Sequence, residues 1–160
     1  DRLMLVGNEG SSVGAVAQML NVVQSKYDID LTVGELISAV FEAKTSKTST
    51  GDGFQLGVFL FSAEVSGSTN GTSYDSTSGG TGYFIHIQVP LGDKHADVII
   101  QHSSDKATWA DLVAAADYAA TSAAQVKSTV TSVNRYVRAV VAPGTTSNRV
   151  AVAIKVGYSG

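Results

Sequence analysis

The sequence predicts an all-β fold, a β-sandwich of jelly-roll or immunoglobulin-like type with an N-terminal arm or short helix. From residue 54 onward, short apolar or alternating stretches recur at even spacing between turns rich in Gly, Ser and Thr. Only 16% of the residues are charged, against about 25% in ordinary domains, so hydroxyl residues that suit strands and turns carry the polar balance. A chain of 160 residues is long enough to bury a core of its own.

Residues 1–30 differ from the rest and are predicted as an N-terminal arm or helix, with the β-sandwich domain at residues 31–160. Apolar residues recur here at spacings of three and four, which would line one face of a helix. Gly14 and the β-branched valines weaken a helix, and an arm that gains its partner only in an assembly fits the pattern equally. The apolar positions expected to contact a partner are Leu3, Leu5, Val13, Val16, Leu20 and Val23.

Residues 32–44 and residues 108–120 each fit both a helix and a strand. The first segment has the Thr-x-x-Glu spacing of a helix capping box, but its apolar residues also suit a strand that enters a sheet. The second is rich in alanine, yet its first residues can return as the second strand of a hairpin with residues 97–103. Periodicity alone does not decide between these structures.

The other strands are predicted from apolar content and alternation. Residues 54–61 are apolar at nearly every position, as in a strand buried on both faces or at an oligomer interface, and Phe59 and Phe61 are expected to contact a partner. A Gly/Ser/Thr-rich tract at residues 66–82 is expected to form an exposed loop. Further strands are predicted at residues 83–89, 97–103, 126–133, 136–141 and 150–158, the last two joined by a turn at residues 142–148.

Composition and charge exclude several classes of protein. A net charge of −3 excludes a broadly basic nucleic-acid binder, because phosphate affinity needs clustered Lys and Arg. Because the chain has no Cys, a disulfide framework, thiolate catalysis and iron–sulfur clusters are excluded as well. No apolar run approaches the roughly 18 residues of a membrane-spanning helix, so no membrane partner is expected.

No catalytic, metal or cofactor site is predicted, and the chain is expected not to be an enzyme. His102, Ser103 and Asp105 are the residue types of a hydrolytic triad, but they lie on one short segment without a nucleophile elbow. The three histidines lack the spacing of metal ligands. From the alternation of their strands, His102 is expected to be half-buried and hydrogen-bonded, and His86 to face solvent or a neighbouring subunit.

Aromatic residues are the best candidates for binding a small ligand. Trp109, Tyr118 and Tyr136 could stack on a sugar ring, because an aromatic face offers a large apolar area beside a polar edge. The competing interpretation is that Trp109 closes the sandwich core.

Residues 96–112 and 134–141 resemble a pattern found in tailed-bacteriophage virion proteins, small β-sandwich or jelly-roll proteins of the head that include decoration and cement proteins. The pattern consists of a strand ending in Gln-x-Ser-x-Asp, a return strand opened by Thr-Trp, an Arg-Tyr-x-Arg strand and a Gly-Thr turn, which residues 144–146 supply. The resemblance covers about residues 36–158 and favours a strand at residues 38–43.

The resemblance implies a non-enzymatic virion structural protein on the surface of the phage head. Such a protein would bind the major capsid protein and its own copies, with a trimer favoured. The Ser-x-Asp-x-x-x-Trp and Arg-Tyr-Val-Arg elements also occur in discoidin-like and other carbohydrate-binding sandwiches. The alternative is therefore a carbohydrate-binding or adhesin module of a tail fibre or cell surface. A sialidase propeller is discounted, because the similar Asp-box lacks one residue before Trp109 and has Ala107 in place of Gly.

Overall fold

The computed structural model describes residues 2–7, 10, 12–30, 38–45, 54–89, 95–119, 123–144 and 148–160. Within these ranges the chain forms β-strands and no helix. The strands are β1 (Arg2–Gly7), β2 (Val16–Asp30), β3 (Ser38–Thr45), β4 (Phe54–Val65), β5 (Thr69–Asn70), β6 (Tyr74–Asp75), β7 (Gly80–Gln88), β8 (Ala96–Ser103), β9 (Ala110–Tyr118), β10 (Ala123–Val133), β11 (Tyr136–Pro143) and β12 (Asn148–Val156).

Two antiparallel sheets pack against each other, which confirms the predicted all-β sandwich. The larger sheet has the order β1-β2-β4-β12-β7-β10, with β3 paired to β2, and the smaller sheet has the order β5-β11-β8-β9, with β6 paired to β11. The main core lies between the sheets. The larger sheet contributes Leu60, Ile85 and Ile87, and the smaller sheet contributes Ile100 and Val137, all of them almost fully buried.

A second apolar cluster lies on the other side of the larger sheet. It consists of Ala17, Met19, Phe59, Phe84, Ala153 and Tyr158. These residues are buried because the sheet curls: β1, at one end of the strand order, comes close to β7 and β10 at the opposite end. Strand β7 is therefore buried on both faces, with Ile85 and Ile87 in the main core and Phe84 in the second cluster.

The helix considered for residues 1–30 is wrong, because residues 16–30 form strand β2. The first part of β2 pairs with β1 on one edge and with β4 on the other. Much of the segment predicted as an arm is therefore part of the larger sheet. The covered face of this strand carries Ala17 and Met19, whereas Val16, one of the residues at helical spacing, lies on the opposite face and is 41% exposed. The predicted domain boundary falls beside residues 31–37, outside the described ranges, and stays a prediction.

The described parts of both ambiguous segments contain a strand and no helix. Residues 38–45 form β3, and residues 110–118 form β9, which pairs with β8 as the predicted hairpin. The chain passes from the smaller sheet to the larger between β11 and β12. Residues 66–82, predicted as a loop, contain the short strands β5 and β6, which pair with β11.

The far half of β2 forms a two-stranded ribbon with β3. The pairing of β2 with β4 covers residues 16–20 and that with β1 covers residues 17–22, whereas residues 23–30 pair with β3 alone. Within the described part of the chain, β3 hydrogen-bonds to no other strand. We refer to residues 23–30 and 38–44 as the β2–β3 ribbon.

Candidate functional site

The turn between β8 and β9 is held by a compact hydrogen-bond network. The hydroxyl of Ser103 donates to Asp105 Oδ1 at 2.9 Å, and the same carboxylate oxygen accepts the N–H groups of Ala107 and Thr108 at 2.8 and 2.9 Å. These bonds lower the pKa of Asp105, the backbone bond from Thr108 first. The network fixes the backbone that leads into Trp109, whose indole N–H donates to the carbonyl of Lys106 at 3.0 Å.

Trp109 lies beside a polar array on the outer face of the smaller sheet. The guanidinium of Arg138 lies 4.1 Å from the centroid of the Trp109 ring and donates to Gln101 Oε1 at 2.8 and 3.0 Å. Gln101 in turn donates to Asp111 Oδ1 at 2.9 Å. Trp109 belongs to neither apolar cluster of the described residues, so it does not close the sandwich core.

Tyr136 extends the same face toward β6. Lys106 Nζ lies 4.5 Å and the Arg135 guanidinium 5.1 Å from the centroid of its ring. Arg135 donates two hydrogen bonds of 2.8 Å to the carboxylate of Asp75. These bonds lower the pKa of Asp75 to about 2, and Thr77 N–H adds to the effect. We call Trp109, Gln101, Asp111, Tyr136 and Arg138 the aromatic–polar face.

Tyr118 is not part of the aromatic–polar face. It lies at the opposite end of β9 and pairs with Ala96, roughly 25 Å along the strand from Trp109. Its side chain packs against the main core, and burial raises its pKa. Of the three aromatic residues predicted to bind sugar, the structure thus brings together Trp109 and Tyr136.

The three residues of triad type do not form a triad. Ser103 donates to Asp105, whereas His102 Nδ1 accepts the backbone N–H of Asn134 at 3.0 Å. His102 is half-buried and hydrogen-bonded as predicted. In the part of the chain that the structure describes, no three potential metal ligands lie together, and no helix there could span a bilayer.

The predicted partner-binding residues lie in different environments. Phe59 and Phe61 are 4% and 6% exposed and pack inside their own chain. Val16 is 41% exposed on β2, while Val13 and Leu20 are half-buried. Among the remaining positions, Leu3 and Leu5 lie on β1 and Val23 on the β2–β3 ribbon.

His86 is buried, so the expectation that it faces solvent or a neighbour is wrong. It is fully buried on the side of β7 that the curled sheet encloses, and neither ring nitrogen has a hydrogen-bond partner in the described structure. Its neighbour across to β10 is Gln125, whose Nε2 is also buried without a partner. The alternation of residues along β7 correctly placed His86 and Gln88 on the face opposite to that of Ile85. The sequence contains no signal that this second face of β7 is also covered.

An open groove of about 500 Å³ separates the edges of the two sheets. One wall is formed by residues 61–63 of β4 and the other by residues 69–72, which include β5, with Ser12 and Val13 at one side. None of the nine lining residues is charged. We call this feature the seam groove.

Comparison with known proteins identifies one related fold. No family model matches the chain, and no curated protein matches it significantly. The chain is similar to the solved structure of PBSX exported protein XepA, with 16% sequence identity and a TM-score of 0.50 over 86% of this chain. It spans about half of that protein, 51% of its length. The similarity shows a shared strand arrangement.

Proposed function

We propose that this chain is a non-enzymatic structural protein of a bacteriophage particle, which decorates the head by binding the major capsid protein and other copies of itself. The observation that carries the proposal is the β2–β3 ribbon, which pairs with no further strand of its own chain among the described residues. An isolated two-stranded ribbon is marginally stable in water, so this ribbon is suited to contact a neighbour in an assembly.

Two further observations support this function. The fold is shared with PBSX exported protein XepA, a phage protein. In addition, the polar side chains of the aromatic–polar face hydrogen-bond to one another. Of the residues of triad type, Ser103 donates to Asp105 within the turn, and His102 accepts a backbone N–H. Among the described residues, these contacts leave surfaces and strand edges as the features that support a role in association.

Sedimentation of the protein, alone and mixed with purified phage capsids, tests this function. We expect an oligomer, with a trimer favoured, that co-sediments with capsids. A matched variant that lacks residues 26–42 of the ribbon should retain the sandwich but lose co-sedimentation. A monomer that remains in the supernatant in the presence of capsids would overturn the proposal.

Carbohydrate binding is the second candidate function, favoured by the aromatic–polar face. Trp109 and Tyr136 share one outer face with Gln101, Asp111 and Arg138, and sugar-binding surfaces combine such aromatic rings with amide, carboxylate and guanidinium groups. In this function the chain would be an adhesin module of a tail fibre or of a secreted or cell-surface protein.

For this second function, Trp109→Ala is expected to lower glycan binding at least about tenfold, because one stacking surface is lost. Binding is measured on a glycan array and then by titration of any sugar that binds. Tyr118→Ala is the control and should leave binding unchanged, since Tyr118 lies at the other end of β9. Equal binding by the wild type and Trp109→Ala would exclude this face as the site.

A further inference from the structure

Lys106 and Arg138 are cations without a carboxylate partner among the described residues. Lys106 Nζ lies 4.5 Å from the centroid of the Tyr136 ring and takes part in no described ion pair. The Arg138 guanidinium lies over the Trp109 ring and donates to the neutral amide oxygen of Gln101, while its Nη1 group makes no hydrogen bond in the described structure. Because an aromatic ring or an amide does not neutralise a positive charge, both side chains can bind an anion.

The carboxylates beside the aromatic–polar face are engaged by their own chain. Asp75 accepts two hydrogen bonds from Arg135, and Asp105 accepts the hydrogen bonds of the β8–β9 turn. Asp111 accepts one hydrogen bond from Gln101, and its exposed side chain can accept another from a ligand hydroxyl. The surface therefore combines two unpaired positive charges with an acceptor for hydroxyl groups.

Lys106 is held in place by the turn between β8 and β9. Its N–H donates to Ser103 Oγ at 2.9 Å, and its carbonyl accepts the indole N–H of Trp109 at 3.0 Å. Its φ is +64°, in the left-handed region that favours glycine, so the turn keeps a lysine where the backbone is strained. The pKa of Asp75 is lowered mainly by Arg135, and the charge of Lys106 adds to this effect. The positive charge of Lys106 is therefore directed toward the face that carries the aromatic rings.

We infer that the aromatic–polar face selects sugars that carry a carboxylate, such as uronic acids. The carboxylate binds Lys106 and Arg138, whose planar guanidinium matches its shape, while the sugar ring contacts Trp109 and Tyr136. Hydroxyl groups of the same sugar donate to Asp111. The net charge of the chain is −3, so it has no general attraction for polyanions and the selection is local. The inference rests on the second candidate function, carbohydrate binding, and names the ligand class of that site.

Polygalacturonate and its methyl ester test the inference, because the two polymers share a backbone and differ in the carboxylate. Each polymer is immobilised on a biosensor surface, and the dissociation constant of the full chain is measured. We expect the wild type to bind the acid form at least about tenfold more tightly than the ester, and to bind it more weakly when NaCl is raised from about 0.05 to about 0.5 M. Trp109→Ala should lose most of the binding to the acid form, because the sugar ring then lacks its stacking surface.

Lys106→Gly separates binding from folding, because glycine adopts the φ of this position without strain. This variant should unfold at about the same urea concentration as the wild type and bind polygalacturonate about three- to tenfold more weakly. Lys106→Arg should keep most of the affinity, because it keeps the charge. Lys127→Gln is the matched control: it removes one exposed positive charge from β10 in the larger sheet and should leave the affinity unchanged.

Equal affinity of the wild type for the acid form and the ester would overturn the inference and leave carbohydrate binding standing. A loss of affinity in Lys127→Gln as large as that in Lys106→Gly would also overturn it. Poly-glutamate that binds as tightly as polygalacturonate would replace the sugar with an acidic peptide as the ligand. A protein that binds neutral sugars on the glycan array but neither polymer would contradict the inference alone, whereas a protein that binds no glycan would contradict carbohydrate binding as well.

Discussion

The variant His86→Leu is expected to unfold at a higher denaturant concentration than the wild type, with a gain of about 1 to 2 kcal/mol at pH 7. Both ring nitrogens of His86 are buried without a hydrogen-bond partner among the described residues, and each such group costs free energy on folding. Leucine has a similar volume and no polar atom, so it keeps the packing beside Phe84 and removes this cost.

The same substitution is expected to remove much of the acid sensitivity of the fold. Burial lowers the pKa of His86 from 6.5 to about 4. Because the folded-state pKa is the lower one, the unfolded chain takes up the proton first. The folded state is therefore fully favoured above pH 6.5 and loses stability as the pH falls toward 4. Between pH 7 and pH 4.5 the loss from this group is about 2 kcal/mol.

Burial of the imidazole is the cause of the lowered pKa of His86, and the shifted carboxylates titrate at lower pH. The carboxylates of Asp75 and Asp105 have pKa values below 3.8, so their contribution to stability is retained down to about pH 4 and is lost only below it. The window from pH 7 to 4.5 therefore reports mainly on histidine.

Urea unfolding of three proteins at pH 7 and pH 4.5 measures this effect. The wild type should lose stability on acidification, and His86→Leu should lose much less. His102→Gln is the control: burial also lowers the pKa of His102, but its ring is only half-buried and accepts a backbone hydrogen bond. It should keep most of the acid dependence. An acid dependence in His86→Leu equal to that of the wild type would contradict the assignment.

Gly82→Ala is expected to destabilise the fold by about 3 kcal/mol or more, through backbone strain and overlap together. Gly82 has a φ of +82°, where residues with a side chain are strained. A Cβ atom at this position would overlap the carbonyl oxygen of Tyr158 and lie 3.0 Å from that of Ser128. The pairing of β10 with β7 is irregular between Ser128 and Ser132, opposite this glycine. The main chains therefore approach too closely for any larger residue.

Gly67→Ala is the matched control for this prediction. Gly67 lies in the exposed turn between β4 and β5, and a Cβ there would meet no atom within 4 Å. The control should change stability by less than about 1 kcal/mol and can increase it, because alanine restricts the unfolded chain. Thermal and urea unfolding of both variants measure the difference. A Gly82→Ala protein as stable as the control would show that the strands separate at this position at little cost.

The sequence was sufficient to predict most of the β-strands but not the curl of the larger sheet. Strict alternation placed Ile85 and Ile87 in the main core, and the turn before Trp109 identified the hairpin of β8 and β9. The helical spacing in residues 13–27 misled the prediction because it selected Val16 and Leu20, whereas the covered face of β2 carries Ala17 and Met19. Whether a second face is covered depends on strands far away in the sequence, which local periodicity does not record.

The sequence also predicted part of the candidate site and missed the rest. Trp109 and Tyr136 were selected as aromatic residues able to stack on a sugar, and the pairing of β8 with β9 and β11 brings them to one face. Tyr118 was grouped with them on residue type alone, and the register separates it. His86 illustrates a different error. Its residue type and its polar neighbour Gln88 indicated a solvent-exposed surface, whereas the curl of the larger sheet encloses its side chain.

The position of β12 has a consequence for how the chain folds during synthesis. This strand lies between β4 and β7 in the larger sheet, although it is the last strand of the sequence. Until β12 leaves the ribosome, β4 and β7 lack the strand that joins them, and each keeps an edge of unpaired backbone N–H and C=O groups. Such pairing between distant segments makes folding slow and late, so chains truncated before residue 148 should aggregate rather than accumulate as a smaller folded unit.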